Sequence, residues 1–197
     1  MIPDLAPGDA LLLVDVQNDF CPGGALAVPE GDRVVPVLNR WIQAAEAAGL
    51  PVLASRDWHP SDHISFTARG GPWPPHCIQD TPGAAFHPEL ALPQSAPIIS
   101  KGTHPNRDQY SAFDDTGLTS QLRERGVERV WVGGLAQDVC VRATVLDSQA
   151  AGFAMQILAA ATRPVEAQPG DGERALREMA EAGAVRSEER RVGKECI

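Results

Sequence analysis

The chain has 197 residues, enough for one compact domain, and its 43% hydrophobic and 22% charged content argues for a packed core rather than disorder. Its formal net charge of -9 argues against nucleic acid or an anionic membrane as partner, because both require clustered Lys and Arg. No apolar run approaches the roughly 20 residues of a membrane-spanning helix, and the start MIPDLAPGD lacks the basic and apolar stretches of a signal peptide, so a cytoplasmic protein is expected.

In chain order, residues 10–16 (ALLLVDV) read as a strand buried on both faces. A helix is predicted over 32–48, closed by Gly49, and a second strand over 51–55. A long segment rich in Gly, Pro, His and Trp follows over 56–96; it is too long for a passive connection and is expected to be functional. A third strand is predicted over 97–101, a helix over 117–125 capped by Gly126, and a fourth strand over 129–133. A helix over 138–151, a fifth strand over 154–160, a helix over 172–182 and the start of a sixth strand at 184–185 complete the pattern. This alternation predicts an α/β fold, three-layer α/β/α, with a mostly parallel, doubly wound sheet and helices on both faces. Residues 1–185 are expected to form a single domain with a metal-binding insert at about 57–96. The closing segment 186–197, RSEERRVGKECI, reads as a translated sequencing adapter and is expected to lie outside that domain.

The four cysteines, at 21, 77, 140 and 196, match no CxxC pattern, so free thiols are expected. Ligands in doubly wound sheets bind beyond the C-terminal strand ends. Asp15 lies near the end of the first strand, Lys101 closes the third, and Cys140 follows the fourth in the first turn of the next helix. An acid, an ammonium and a thiol at one sheet edge make a nucleophilic site. A helix start and a neighbouring ammonium favour thiolate, and a carboxylate can take the thiol proton. Backbone N–H groups of Ala136 and Cys140 can hold a developing oxyanion. Each residue alone has a plainer reading: a small buried hydrophobe, a loop-capping carboxylate, a surface lysine. The case is their joint placement.

The second strand runs out into RDWHPSDH, where Asp57 and His59, two apart in extended chain, face the same side. GPWPPHC adds His76. Two imidazoles and a carboxylate suit a divalent ion with open positions, zinc first, with iron(II) or manganese(II) compatible. His63 is a further ligand or a supporting partner. Cys77 is expected to point into packing, His87 to be structural, and His104 to be exposed or to line the cleft.

The motifs DVQNDF (15–20), DWHP (57–60), WPPHC (73–77), the Lys101-Gly102 pair and GLAQDVCV (134–141) together resemble the nicotinamidase/pyrazinamidase branch of the isochorismatase-like cysteine hydrolases. The resemblance spans about residues 9–185. It implies a catalytic triad of Asp15, Lys101 and Cys140. It implies metal ligation by Asp57, His59 and His76, with His63 recruited in some members. It also implies a cis peptide between Leu135 and Ala136, and a ring-binding slot formed by Phe20 and Trp73, with Tyr110 within reach of the cleft. For Phe20, ordinary core packing is the rival reading. The implied activity is deamidation of nicotinamide to nicotinate and ammonia through a Cys thioester, with a metal ion positioning the pyridine ring and pyrazinamide also accepted. The partner is then a small molecule, and the chain itself is compatible with a monomer or a homo-oligomer. The alternatives are a sibling cysteine hydrolase acting on N-carbamoyl amides, which would not need the metal cluster, and a non-catalytic metal-binding α/β module. No phosphate-binding glycine signature supports the latter.

Overall fold

The computed structural model describes residues 5–187. Six strands form one sheet: β1 (Asp9–Val14), β2 (Val52–Asp57), β3 (Ile98–Lys101), β4 (Arg129–Leu135), β5 (Ala154–Arg163) and β6 (Val185–Ser187). Their order is β3-β2-β1-β4-β5-β6, with every pairing parallel. The expected mostly parallel sheet is therefore wholly parallel. The helices are α1 (Val34–Ala47), α2 (Leu118–Glu124), α3 (Arg142–Ala150) and α4 (Asp171–Glu181).

Central strands of such a sheet must be apolar on both faces, and β1 meets that demand. Its Leu11 and Leu13 enter the core under α1 with Leu38, Trp41 and Ile42. Ala10, Leu12 and Val14 enter the opposite core, which takes Leu118 of α2, Val145 of α3 and Met179 of α4. One helix thus covers one face and three cover the other. Among the described residues, no helix is long and apolar enough to cross a membrane.

The departures from expectation cluster at strand ends. β1 stops at Val14 because Asp15 adopts a left-handed conformation, φ 49°, which turns the chain out of the sheet. β4 runs on through Gly133 and Gly134 to Leu135, and β5 runs to Arg163. A register shift between Val132 and Gly134 lets Gly134 pair with Thr162 and Leu135 with Arg163. The helix expected from 138 begins instead with a single π-helical turn, Gln137–Val141, before α3. β6 takes up Arg186 and Ser187, which the sequence reading had assigned to the tail; the rest of that segment lies outside the described residues.

At the opposite end of the sheet, Arg129 grips Asp9 through two 2.6 Å bonds, and the Trp131 indole and Ala6 amide add bonds of 3.1 and 2.9 Å. Burial alone would raise the Asp9 carboxyl; these donors, Arg129 foremost, instead hold it below the usual carboxylate range. A depressed carboxyl contributes stability above its unfolded pKa and loses it as pH falls through the folded value. Asp9→Asn is therefore expected to cost about 1–2 kcal/mol near neutrality and progressively less in acid. That is the low end for a charged hydrogen bond, because Arg129 is 34% exposed. Thermal unfolding at pH 7 and pH 3 checks it.

Candidate active site

The strand order reverses between β1 and β4, and the crevice beyond their C-terminal ends is where such a sheet places its site. Cross-strand register does the assembly. Asp57 at the end of β2 stands opposite Lys101 at the end of β3, so both side chains project from the same sheet edge. Ser55, two residues before Asp57 and on the same face, donates its hydroxyl to Asp15 Oδ1 at 2.7 Å.

Lys101 is the centre of this arrangement. Its Nζ lies 2.8 Å from Asp15 Oδ2 and 3.4 Å from Cys140 Sγ, and it also bonds Asp57 Oδ1. All four side chains are buried. Burial opposes the Lys101 charge, but the Asp15 and Asp57 carboxylates outweigh it and hold the ammonium well above the ordinary lysine range. Asp15, Asp57 and Cys140 stand close enough together to hold a cation. The Lys101 ammonium fills that place.

Burial pushes the Cys140 thiol well up; Lys101 opposes this, but the Asp15 and Asp57 carboxylates reinforce it. Burial and the two carboxylates therefore favour the thiol form of Cys140, against the pull of the Lys101 ammonium toward thiolate. Asp15, also raised chiefly by burial against the opposing pull of Lys101, is a stronger base than an ordinary carboxylate.

Asp57 joins this group to a second one. Its Oδ2 lies 3.6 Å from His59 Nε2 and 3.9 Å from His76 Nε2. Ligand atoms about 2.1 Å from a tetrahedral ion stand about 3.4 Å apart, so the spacing is close to that of a bound ion. The second nitrogens are engaged correctly for ligation. His59 Nδ1–H donates to Gly102 O at 2.9 Å and His76 Nδ1–H to Pro74 O at 2.8 Å, which leaves both Nε2 atoms facing Asp57. Burial would lower the His59 imidazole, but the Asp57 carboxylate outweighs it and raises the ring above its ordinary range. Burial holds His76 below the usual imidazole range, in the neutral form a metal needs.

His63 takes a different position. Its Nε2–H donates to Arg107 O at 2.9 Å, and its Nδ1 accepts from Ser65 Oγ at 2.7 Å and Ser65 N at 3.3 Å. Both nitrogens are occupied, and the ring stacks on His59 at 4.2 Å. It steadies His59 and is not in the three-residue cluster. Phe66, which the sequence reading passed over, presents its ring to the edges of His59, His63 and His76 at 5.5–5.7 Å.

Gly102 explains the residue after Lys101. Its φ is +61°, and a Cβ there would stand 2.3 Å from His59 Cε1 and 2.5 Å from Nδ1. Gly102→Ala is expected to displace the imidazole and lower metal affinity about 10- to 100-fold, the range for disturbed outer partners. A chelator-competition titration with zinc measures it.

Above both groups lies a pocket lined by Phe20, Trp73, Tyr110, Ala136 and Cys140, with the Asp57, His59 and His76 side chains in its wall. Phe20 belongs to the core cluster, and it also lines the pocket with its ring 5.6 Å from His76. Trp73 Nε1–H donates to Tyr110 Oη at 3.1 Å, so these two rings form one wall. The peptide between Leu135 and Ala136 is cis, as the resemblance implied. Ser65, Asp108 and Gln109 also line the pocket; no spacing rule marks them, because loop closure alone brings them in, whereas Val139 enters beside Cys140 on the π-helical turn. Cys77 is buried in the core as expected. His104 is exposed and lies outside the pocket lining, and His87 caps the Glu89 amide at 3.2 Å.

Comparison with known proteins gives a consistent result. A family model described as Isochorismatase domain matches residues 9–189. A nicotinamidase of Escherichia coli is 43% identical over 90% of this chain and 93% of its own. The structure of a pyrazinamidase of Pyrococcus horikoshii in complex with zinc is 48% identical, covers 92% of this chain and 99% of that one, and superposes with a TM-score of 0.88. A protein of L. infantum, solved in complex with nicotinate, is 35% identical over 92% of this chain and 93% of its own, with a TM-score of 0.84.

Proposed function

Because the chain belongs to the isochorismatase family and is an amidohydrolase of its nicotinamidase branch, we propose that it converts nicotinamide to nicotinate and ammonia, and pyrazinamide likewise. One observation carries the reading: Cys140 lines a pocket together with the Asp57, His59 and His76 cluster, while Lys101 joins the buried Asp15 to the Cys140 sulfur. That combination fits a small aromatic amide with a ring nitrogen.

The residues divide the work as follows. Phe20 and the Trp73–Tyr110 pair hold the ring, and its carboxamide faces Cys140. Asp15 takes the thiol proton as Sγ attacks the carboxamide carbon. The negative charge that develops on the oxygen is received by the backbone N–H groups of Ala136 and Cys140. As the C–N bond breaks, Asp15 returns its proton to the departing nitrogen, and ammonia leaves. Asp15 then draws a proton from water, whose oxygen attacks the thioester and frees nicotinate and the thiol. Lys101 holds Asp15 in place and balances the charge that moves between it and sulfur.

Asp57 Oδ2, His59 Nε2 and His76 Nε2 would hold a divalent ion, zinc being favoured and iron or manganese compatible. When bound there, such an ion supplies open coordination positions for a ring nitrogen and so a means of orienting the ring. His76→Ala is accordingly expected to raise KM for nicotinamide at least about tenfold and to lower bound metal, with Cys140 intact. Steady-state kinetics beside elemental analysis measures both.

The test of the function is ammonia release from nicotinamide, pyrazinamide and benzamide by metal-saturated protein. Turnover of the first two with benzamide at least about 100-fold poorer is expected, since benzamide offers no ring nitrogen. Preference for N-carbamoyl amides over nicotinamide would instead favour the sibling hydrolases.

A further inference from the structure

The loop that follows Asp15 holds two polar side chains that the mechanism does not use. Gln17 is fully buried. Its Oε1 accepts the Asp57 amide at 2.8 Å, and its Nε2 donates to Asp57 O at 2.8 Å and Ala84 O at 2.9 Å. The carboxamide thus binds both backbone groups of the metal-cluster carboxylate residue. Asp19 acts on the other two cluster members through the backbone of one residue, Cys77. Its Oδ2 accepts the Cys77 amide at 2.7 Å, and the Cys77 carbonyl accepts the His59 amide at 2.9 Å. Cys77 adjoins His76 and holds a left-handed conformation, φ 45°, that a non-glycine residue rarely adopts. The carboxylate is itself fixed: Oδ1 accepts the Ala25 amide at 3.1 Å, and a Cβ on Gly83 would stand 2.2 Å from Oδ2.

We propose that Gln17 and Asp19 are positioning residues that set metal affinity, by suspending the Asp57, His59 and His76 backbones from the loop that also carries Asp15. The proposal rests on the metal reading given above. Its chemistry follows from donor and acceptor count. Gln17→Glu keeps the shape and the bond from the Asp57 amide, but it loses both donated bonds and sets a carboxylate against the Asp57 and Ala84 carbonyls. Asp19→Asn keeps the shape but turns one acceptor into a donor, facing either the Cys77 or the Ala25 amide. Ligand atoms then lose their common focus while the core stays filled.

The experiment uses the full chain, stripped of metal and titrated with zinc against a chromophoric chelator, with cobalt(II) absorption as reporter of ligand geometry. Gln17→Glu and Asp19→Asn are compared with Asn18→Ala, which removes an exposed side-chain bond to Pro82 O in the same loop. Zinc affinity about 10- to 100-fold weaker in the first two is expected. Their cobalt spectra should be altered and Asn18→Ala should bind as native, and although the lost bonds lower the metal-free unfolding temperatures of the first two, both chains stay folded at the temperature of the titration. Added zinc should restore kcat/KM in both. Native affinity in both variants would overturn the proposal, as would weakened affinity that only accompanies unfolding of the metal-free chain. A native chain that binds no ion would overturn the metal reading itself and this inference with it.

Discussion

Cys140→Ala is expected to lower ammonia release from nicotinamide by at least about 10⁴-fold while leaving metal affinity native. In the proposed mechanism the sulfur is the attacking atom, and among the described residues lining the pocket Cys140 supplies the one thiol. Lys101 and Asp15 would then orient water at best, and water lacks the position that Sγ holds on the chain. Metal affinity should persist because the Asp57, His59 and His76 ligand atoms form a set that excludes Cys140. Folding should persist too, since the side chain is small and the fourth strand and third helix that flank its π-helical turn are packed by other residues. Single-turnover assays beside zinc titration separate the two effects. Turnover within tenfold of native would remove Cys140 from its role.

Lys101→Met has the second large effect, and it falls on stability as well as on rate. The ammonium is shared by two buried carboxylates and a thiol. Its removal leaves Asp15 and Asp57 facing each other in a water-poor site. Breaking a buried pair from one side costs about 3–5 kcal/mol, because the uncompensated charge remains behind. The carboxylates escape part of this by taking up protons. Their folded pKa values then rise above the unfolded ones, so the stability that remains is present in acid and lost as pH rises. The metal-free variant is expected to unfold at a lower temperature at pH 8 than at pH 5. Equal unfolding temperatures at both values would show that Lys101 does not carry this charge balance.

The fold and the site were legible in the sequence to different depths. Doubly apolar runs such as the one ending at Val14, alternating with amphipathic helices, were enough to imply a parallel layered sheet. The D-x-H spacing of Asp57 and His59 was likewise readable, because extended chain repeats every two residues. What escaped notice depends on relations between segments. That Asp57 stands beside Lys101 is a matter of β2–β3 register across the long insert, which local periodicity does not fix. It makes Asp57 a member of both groups at once. The same holds for His63, whose spacing from His59 left ligand and supporting partner equally open; in the fold the Arg107 carbonyl and Ser65 bond its nitrogens. Phe66 looks like any apolar residue in sequence, yet three imidazoles rest against it. The β4–β5 register shift and the π-helical turn before α3 also break no apolar pattern, so composition left them unmarked.

The proposed mechanism passes through a nicotinoyl group carried by Cys140, and partitioning between water and hydroxylamine tests that most directly. Nicotinamide and methyl nicotinate are supplied separately to the metal-saturated protein with hydroxylamine present, and nicotinohydroxamate and nicotinate are quantified. A shared acyl-enzyme predicts the same hydroxamate-to-acid ratio from both substrates, with both products lost in Cys140→Ala. Ratios that differ between amide and ester, or hydroxamate still formed without the Cys140 sulfur, would contradict it.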